Sequence, residues 1–97
     1  MSNKEIHRYK LDDTNELIGY TAYCRVDMPK GAKVINISYV TGDIYLHAIV
    51  KPKHEKKARW FAIFTEGMPM EDYDKKTCEY IGMLNTVPTL HVFEVHD

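Results

Sequence analysis

The sequence has few of the residues on which nucleophilic enzymes and disulfide-linked proteins depend. It contains two cysteines, Cys24 and Cys78, which share no C-x-x-C spacing and are too few for a disulfide framework. We expect both to be small buried thiols. The only serines are Ser2 and Ser38, and neither lies in a nucleophile-elbow motif, which argues against serine catalysis. The five glycines are scattered singly, so the chain lacks a glycine-rich loop that would hold phosphates.

An excess of one charge and a long apolar run are also missing. The formal net charge is −1, whereas nucleic-acid-binding domains usually carry a basic face and DNA mimics are strongly acidic. No apolar run approaches the roughly 18 residues that a membrane span needs. Residues 1–10 (MSNKEIHRYK) have no signal-peptide core. We therefore predict a cytoplasmic protein with neither nucleic acid nor membrane as a partner.

The length suits a single domain over residues 1–97. With 44% hydrophobic and 28% charged residues, the composition is that of an ordinary globular protein. A chain of this size buries roughly two-thirds of its unfolded surface, so its core is small. We expect a homo-oligomer, because association covers more apolar surface.

The dominant local pattern is that of β-strands. Apolar and polar side chains alternate along residues 21–28 (TAYCRVDM), which is typical of a half-buried strand. Further short segments rich in β-branched and aromatic residues lie at 5–11, 33–40, 44–52, 59–64, 79–84 and 89–95. The sequence PKGA at residues 29–32 predicts a turn, and Gly42 predicts a tight hairpin.

These segments predict a mainly β fold, a small antiparallel sandwich or barrel of about six to seven short strands. The best helix candidate is residues 70–80 (MEDYDKKTCEY), with acids early and lysines late. It has no continuous apolar stripe, so we expect at most one short helix. We interpret the basic residues 51–59 (KPKHEKKAR) as a solvated hairpin loop.

Metal-binding and acid–base motifs are not evident. His91 and His96 are an odd number of residues apart, so they point to opposite faces of a strand. We predict no metal ion, no cofactor and no catalytic activity. A nucleotide phosphodiesterase with His47 or His91 as the acid–base residue is the enzymatic alternative. Glu94, inside the last strand, is interpreted either as solvent-facing or as an acceptor facing a ligand.

A set of aromatic and polar side chains remains as a candidate binding surface. Seven of the 97 residues are tyrosines, which combine a flat apolar face with a polar tip. Such surfaces suit stacking on bases or gripping a protein partner, although cross-strand packing pairs are the structural alternative. The residues that we select as ligand-binding are Tyr45, His47, Arg59, Trp60, Thr65, Glu66 and His91.

The stretch RWFAIFTEGMPM, residues 59–70, contains four of these selected residues and also predicts a strand. Its first half has apolar side chains at both odd and even positions, which predicts a strand covered on both faces. We expect the core on one face and a second subunit on the other. The two ends are the candidate lips of a pocket, with Arg59 and Trp60 at the entry and Thr65–Met68 at the exit.

The order of the motifs resembles a family of small bacteriophage and prophage proteins of unknown function. The members share an MPxGAxIL turn and strand, a YIGT segment and a closing HVFE, which are similar to residues 28–35, 80–83 and 91–94. At Thr65, Glu66 and Met68 the chain differs from the family, which tends to have Gly, Thr and His. The resemblance implies a phage context, hence the cytoplasm of a host cell, but no activity.

Small phage proteins without catalytic motifs are commonly counter-defence factors. We predict a binding protein that sequesters a nucleotide-type immune signalling molecule, with aromatic stacking on the base and Arg or Lys on the phosphate. Its pockets would lie at the subunit interfaces of a homo-oligomer. The alternative is a protein–protein inhibitor that blocks a host enzyme or defence effector through a strand edge or the TEGMPM turn, because surface methionines adapt to a partner.

Overall fold

A computed structural model of the chain shows two antiparallel β-sheets packed face to face. It describes residues 3–11, 16–18, 21–70 and 73–96, and for 16–18 the backbone alone. Within these ranges there are eight strands and no helix. The predicted mainly β sandwich is therefore confirmed, with one strand more than the sequence indicates.

The strands follow one another with short connections. Their bounds are β1 Glu5–Leu11, β2 Glu16–Ile18, β3 Thr21–Pro29, β4 Lys33–Val40, β5 Asp43–Val50, β6 Lys56–Thr65, β7 Cys78–Leu84 and β8 Leu90–Val95. The candidate helix at residues 70–80 is a turn at 75–77 followed by the start of β7. Glu71 and Asp72 of that candidate, like Ser2, lie outside the described residues.

The chain passes repeatedly from one sheet to the other. One sheet has the order β1-β5-β4 and the other the order β2-β3-β6-β8-β7. The hairpin expected at residues 51–59 is wrong, because β5 and β6 belong to different sheets and the connection between them crosses the sandwich. Its residues 51–55 are solvent-exposed, as the charge of the segment indicates. No described residues form a helix with the length and apolarity needed to cross a membrane.

The core lies between the two sheets. Its buried residues from the sheet β1-β5-β4 are Leu11, Ile37, Leu46, Ala48 and Val50, and those from the other sheet include Cys24, Val26, Met28, Phe61, Leu84 and Val92. Cys24 is buried as expected, whereas Cys78 is only half-buried, and neither cysteine forms a disulfide. Tyr9 packs at the edge of this core, where burial raises the pKa of its phenol.

The β4–β5 hairpin turns through two residues with positive φ. Val40 pairs with Asp43, and between them Thr41 has φ 50° and Gly42 has φ 89°. Two positive φ angles identify a type I′ turn, which matches the twist of the strands and confirms the predicted hairpin. Threonine is β-branched and rarely adopts this left-handed conformation, so Thr41 stores local backbone strain.

Thr41→Asn is therefore expected to stabilise the protein. Asparagine tolerates positive φ and precedes glycine in the favoured Asn-Gly form of this turn, so the free energy of unfolding should rise by about 1 kcal/mol. Urea denaturation followed by fluorescence measures the change. Thr89→Asn, at a position without positive φ, is the control and should bring no gain. An unchanged stability of the Thr41 variant would contradict the interpretation.

Candidate functional site

A pocket lies on the outer face of the sheet β2-β3-β6-β8-β7, where β6 ends. Its volume is about 320 Å³, at the small end of the range for small-molecule sites. We call it the aromatic pocket, and its lining residues are Phe64, Thr65, Glu66, Gly67, Met68, Met70, His91 and Phe93. It therefore occupies the exit lip predicted from the sequence.

The floor of the pocket is a cluster of aromatic rings. Phe64 and Phe93 meet edge to face with ring centroids 5.3 Å apart, and Tyr80 meets Phe93 at 5.0 Å. Tyr73, from the β6–β7 connection, packs against Phe64 at 6.0 Å and Phe93 at 5.7 Å. Each such pair stabilises by about 0.5–1.5 kcal/mol beyond burial. β6 is thus covered on both faces. At this end its outer face is covered by aromatic side chains of the same chain, where the sequence analysis expects a second subunit.

A tight turn places Glu66 at the rim. The amide of Met68 donates to the carbonyl of Thr65 at 3.1 Å, and Gly67 takes φ 86°, as the third position of a type II turn requires. The amide of Glu66 donates to the carbonyl of Thr89 at 2.9 Å and so ties the turn to the residue that precedes β8. The backbone that carries the Glu66 carboxylate is therefore held in place by hydrogen bonds.

Three polar side chains form a hydrogen-bonded chain beside the floor. His91 Nε2 lies 2.9 Å from Glu66 Oε1, and His91 Nδ1 lies 3.1 Å from the hydroxyl of Tyr80. An ionised carboxylate only accepts, so Nε2 carries the proton that is donated to Glu66. In the neutral imidazole, Nδ1 then accepts the hydroxyl proton of Tyr80. The chain fixes the ring of His91 and the tautomer it adopts.

The arrangement suits ligand binding better than covalent chemistry. Glu66 Oε2 has no hydrogen bond to any of the described residues, so it can accept a proton donor from a ligand. Among the described side chains that line the pocket there is no serine, cysteine or lysine to act as a nucleophile. Both ring nitrogens of His91 are already engaged, so a general base there would first have to break a hydrogen bond.

Arg59 lies on the inner face of the same sheet, close to the start of β6. Its Nε donates to Glu94 Oε2 at 2.6 Å and its Nη2 donates to Glu94 Oε1 at 2.7 Å, while its Nη1 donates to the carbonyl of Ala32. The two side chains are 20% and 6% exposed. Glu94 is therefore not solvent-facing, because it points inward, and both of its carboxylate oxygens accept hydrogen bonds from Arg59.

Trp60 lies on the outer face at the same end of the strand and is 37% exposed. It contributes to a cavity of about 260 Å³ that also includes Arg59 and His96, well away from the aromatic pocket. Arg59 and Thr65 are six residues apart on one strand, or about 20 Å. The two predicted lips therefore belong to separate surfaces.

The nearest approach to a metal site within the described ranges lies beside Arg59. Potential ligand atoms of Glu79, Glu94 and His96 are all within 4.8 Å of one another. Both carboxylate oxygens of Glu94 already accept from Arg59, and His96 Nε2 lies 3.0 Å from Glu79 Oε1. A cation would have to displace the guanidinium, so we assign no metal to this cluster.

Tyr45 and His47 lie on the outer face of the other sheet, remote from the remaining candidates. The guanidinium of Arg8 stacks 4.3 Å above the ring of Tyr45 in a cation–π contact. His47 Nε2 lies 2.8 Å from the hydroxyl of Ser38 on the neighbouring strand. Both side chains make cross-strand contacts, and no described pocket includes them.

The structure thus brings together three of the seven selected residues, Thr65, Glu66 and His91. Phe64, Phe93 and Tyr80 also belong to this site, although the selection omits them. A signal for Phe93 was present, because the period of a strand places residues 91 and 93 on one face. The contribution of Tyr80 depends on the pairing of β7 with β8, which the local sequence does not reveal.

Comparison with known proteins assigns the chain to a family without an assigned activity. A family model with the description Domain of unknown function (DUF7352) matches residues 2–97. No curated protein and no solved structure matches the chain. The function therefore has to follow from the site.

Proposed function

The chain belongs to the family described as Domain of unknown function (DUF7352), and we propose that it is a binding protein that sequesters a nucleotide-type molecule in the aromatic pocket. The observation that carries this proposal is the chain of Glu66, His91 and Tyr80 beside an aromatic floor. In the phage context implied by the sequence resemblance, sequestration of a nucleotide signal counters host defence.

The floor and the rim complement the two features of a nucleobase. A base is a flat ring, and stacking on an aromatic side chain such as Phe93 contributes about 1–3 kcal/mol. It also carries amino or imino N–H groups, for which Glu66 Oε2 is an acceptor of a charge-assisted hydrogen bond. Met68 and Met70 at the lip are flexible and polarizable, so they adapt to the ring.

The phosphates of such a ligand extend out of the pocket. Among the described residues that line it, none is a lysine or arginine, so the pocket itself selects the base. The surrounding surface is apolar and exposed, with Met68, Met70, Tyr73, Tyr80 and Met83 between 40% and 51% exposed. We propose that a second copy of the chain packs here, which covers this surface and places further side chains around the ligand.

Glu66→Ala is expected to weaken binding of the base by about tenfold or more, because a charge-assisted hydrogen bond is lost. Cyclic dinucleotides and ADP-ribose derivatives are suitable probes in thermal-shift and calorimetric titrations. A ligand at 100 times its Kd stabilises the wild type by about 2.7 kcal/mol. The matched control is Glu79→Ala, which removes an equally exposed glutamate that binds a histidine, His96, in another cluster.

Two results would contradict the proposal. One is the absence of any shift of the wild-type unfolding temperature with these nucleotides, since a tight ligand must stabilise the native state. The other is an equal loss of affinity in Glu66→Ala and Glu79→Ala, which would mean that binding follows overall charge instead of the pocket.

A protein partner is the second candidate for the same surface. The exposed methionines and tyrosines around the aromatic pocket favour it, because methionine adapts to varied partners and tyrosine is a frequent anchor of interfaces. A host enzyme recovered with the wild type from infected cells, but lost with Met68→Lys, would support an inhibitor. Recovery of no host protein would exclude it.

A further inference from the structure

A second cavity lies at the other end of the molecule, where β5 leads into β6. Its volume is about 420 Å³. We call it the lysine cavity, after the basic residues that line it, Lys4, Lys30, Lys33, Lys51 and His54. The remaining lining residues are Gly31, Ile49 and Val50, so no described carboxylate faces it.

The lysines come from separate segments that the fold brings together. Lys4 precedes β1, Lys30 lies in the β3–β4 turn and Lys51 follows β5. Glu5 pairs with Val50, so one step further along the ladder Lys4 and Lys51 are cross-strand neighbours. Lys33 pairs with Ile49 on the other side of β5 and lies on the same face. Like charges at such positions destabilise a sheet.

Hydrogen bonds hold the walls of the lysine cavity in place. His54 Nδ1 lies 3.2 Å from the carbonyl of Lys30, to which it donates. The amide of Lys30 donates to the carbonyl of Glu55 at 2.8 Å. Together these bonds fasten the β5–β6 connection to the β3–β4 turn, so the cavity is formed before any ligand arrives.

The concentration of positive charge is local. The whole chain has a net charge of −1, so a cavity that contains Lys30, Lys33 and Lys51, with no acid facing it among the described residues, is not a result of basic composition. An anion that enters it gains several ammonium donors and relieves the repulsion between them.

We propose that the lysine cavity binds the di- or triphosphate group of a small molecule. Lysine ammonium groups bind phosphate oxygens as compact point charges. A nucleic-acid backbone fits less well, because none of the described side chains that line the cavity is aromatic and available for stacking.

This site is independent of the aromatic pocket. The ten residues of β6 lie between the two sites, and a strand of that length spans about 30 Å. A single nucleotide does not reach both within one chain. The inference therefore stands whether or not the aromatic pocket binds a base.

Calorimetric titration with inorganic tripolyphosphate tests the proposal, since this probe has phosphates and no base. The wild type is expected to bind one tripolyphosphate per chain, with an affinity that falls as salt is added. Lys33→Gln together with Lys51→Gln should lower the affinity by about tenfold or more. The control, Lys75→Gln with Lys76→Gln, removes the same charge from the β6–β7 connection and should retain the affinity within about twofold.

Thermal unfolding separates lost binding from lost folding. Without the anion, the Lys33 and Lys51 double variant should unfold at the wild-type temperature or above it, because repulsion between lysines is removed. Tripolyphosphate should then raise the unfolding temperature of the wild type and of the control, but not of this double variant.

Three outcomes would overturn the inference. The first is that tripolyphosphate does not bind the wild type. The second is that the Lys75 and Lys76 control loses as much affinity as the cavity variant. The third is that a short single-stranded oligonucleotide binds more tightly than tripolyphosphate with the same dependence on Lys33 and Lys51, which would identify a nucleic-acid site. None of them bears on binding of a base at Glu66.

Discussion

Replacing Arg59 by methionine is expected to destabilise the fold by about 3–5 kcal/mol, which is a large part of the stability of a domain of this size. The substitution keeps an apolar stem but leaves the carboxylate of Glu94, only 6% exposed, without its partner in the interior. The two Arg59 donors that reach Glu94 satisfy one oxygen each, so no other contact compensates fully for their loss.

Urea denaturation of a double-mutant cycle measures this effect. Glu94→Gln should cost less than Arg59→Met, because the 20% exposed guanidinium still reaches water. Combining Arg59→Met with Glu94→Leu should recover most of the loss, since an apolar pair replaces a buried ion pair at little cost. Lys57→Met, the control at an exposed cation of the same strand, should change stability by less than about 0.5 kcal/mol. A double variant as unstable as the sum of its parts would contradict the pairing.

Phe61→Ala is expected to cost about 3–5 kcal/mol, because it leaves a cavity at the centre of the sandwich. Phe61 is fully buried on the inner face of β6, opposite Cys24 on β3. Phe61→Leu keeps most of the volume and should cost less than about 1.5 kcal/mol. Equal losses in the alanine and leucine variants would show that the ring shape, and not the filled volume, sets the stability.

The same strand offers a test that separates stability from binding. Phe64 lies on the opposite face of β6, in the floor of the aromatic pocket, and is also buried. Phe61→Leu should leave nucleotide affinity unchanged, whereas Phe64→Leu should lower it by about fivefold or more, because the ring of Phe64 supports Phe93, on which the base stacks. A parallel fall of affinity in both variants would mean that ligand binding only reports on the fold.

Much of the fold follows from local sequence pattern. Alternation of apolar side chains along residues 21–28 predicts the strand that the structure shows. Apolar residues on both faces of 59–64 predict β6, which has buried side chains on both of its faces. Turn chemistry at Gly31 and Gly42 predicts where the chain reverses, because both glycines adopt positive φ. β2 escapes prediction because a segment of three residues is too short for periodicity to be read.

What the local pattern does not contain is the pairing between distant strands. Arg59 and Glu94 are 35 residues apart, and only the position of β6 beside β8 makes them partners. Odd and even positions along one strand point to opposite faces of its sheet. This alternation does not tell which residues of other strands lie beside them on the same face. For this reason the selected site residues divide among three surfaces, and the lysine cavity combines segments that look unrelated along the chain.

The central position of β6 has a consequence for how the protein folds. On one side Phe61 pairs with Cys24, and on the other it pairs with Glu94, so each neighbour is more than thirty residues away along the chain. The chain loses the entropy of closing large loops before either pairing contributes favourable free energy. Chains dominated by such non-local contacts fold in about milliseconds to seconds. During synthesis, β3 and β6 can pair before β8 has emerged, which leaves one edge of the central strand exposed until β8 is synthesised.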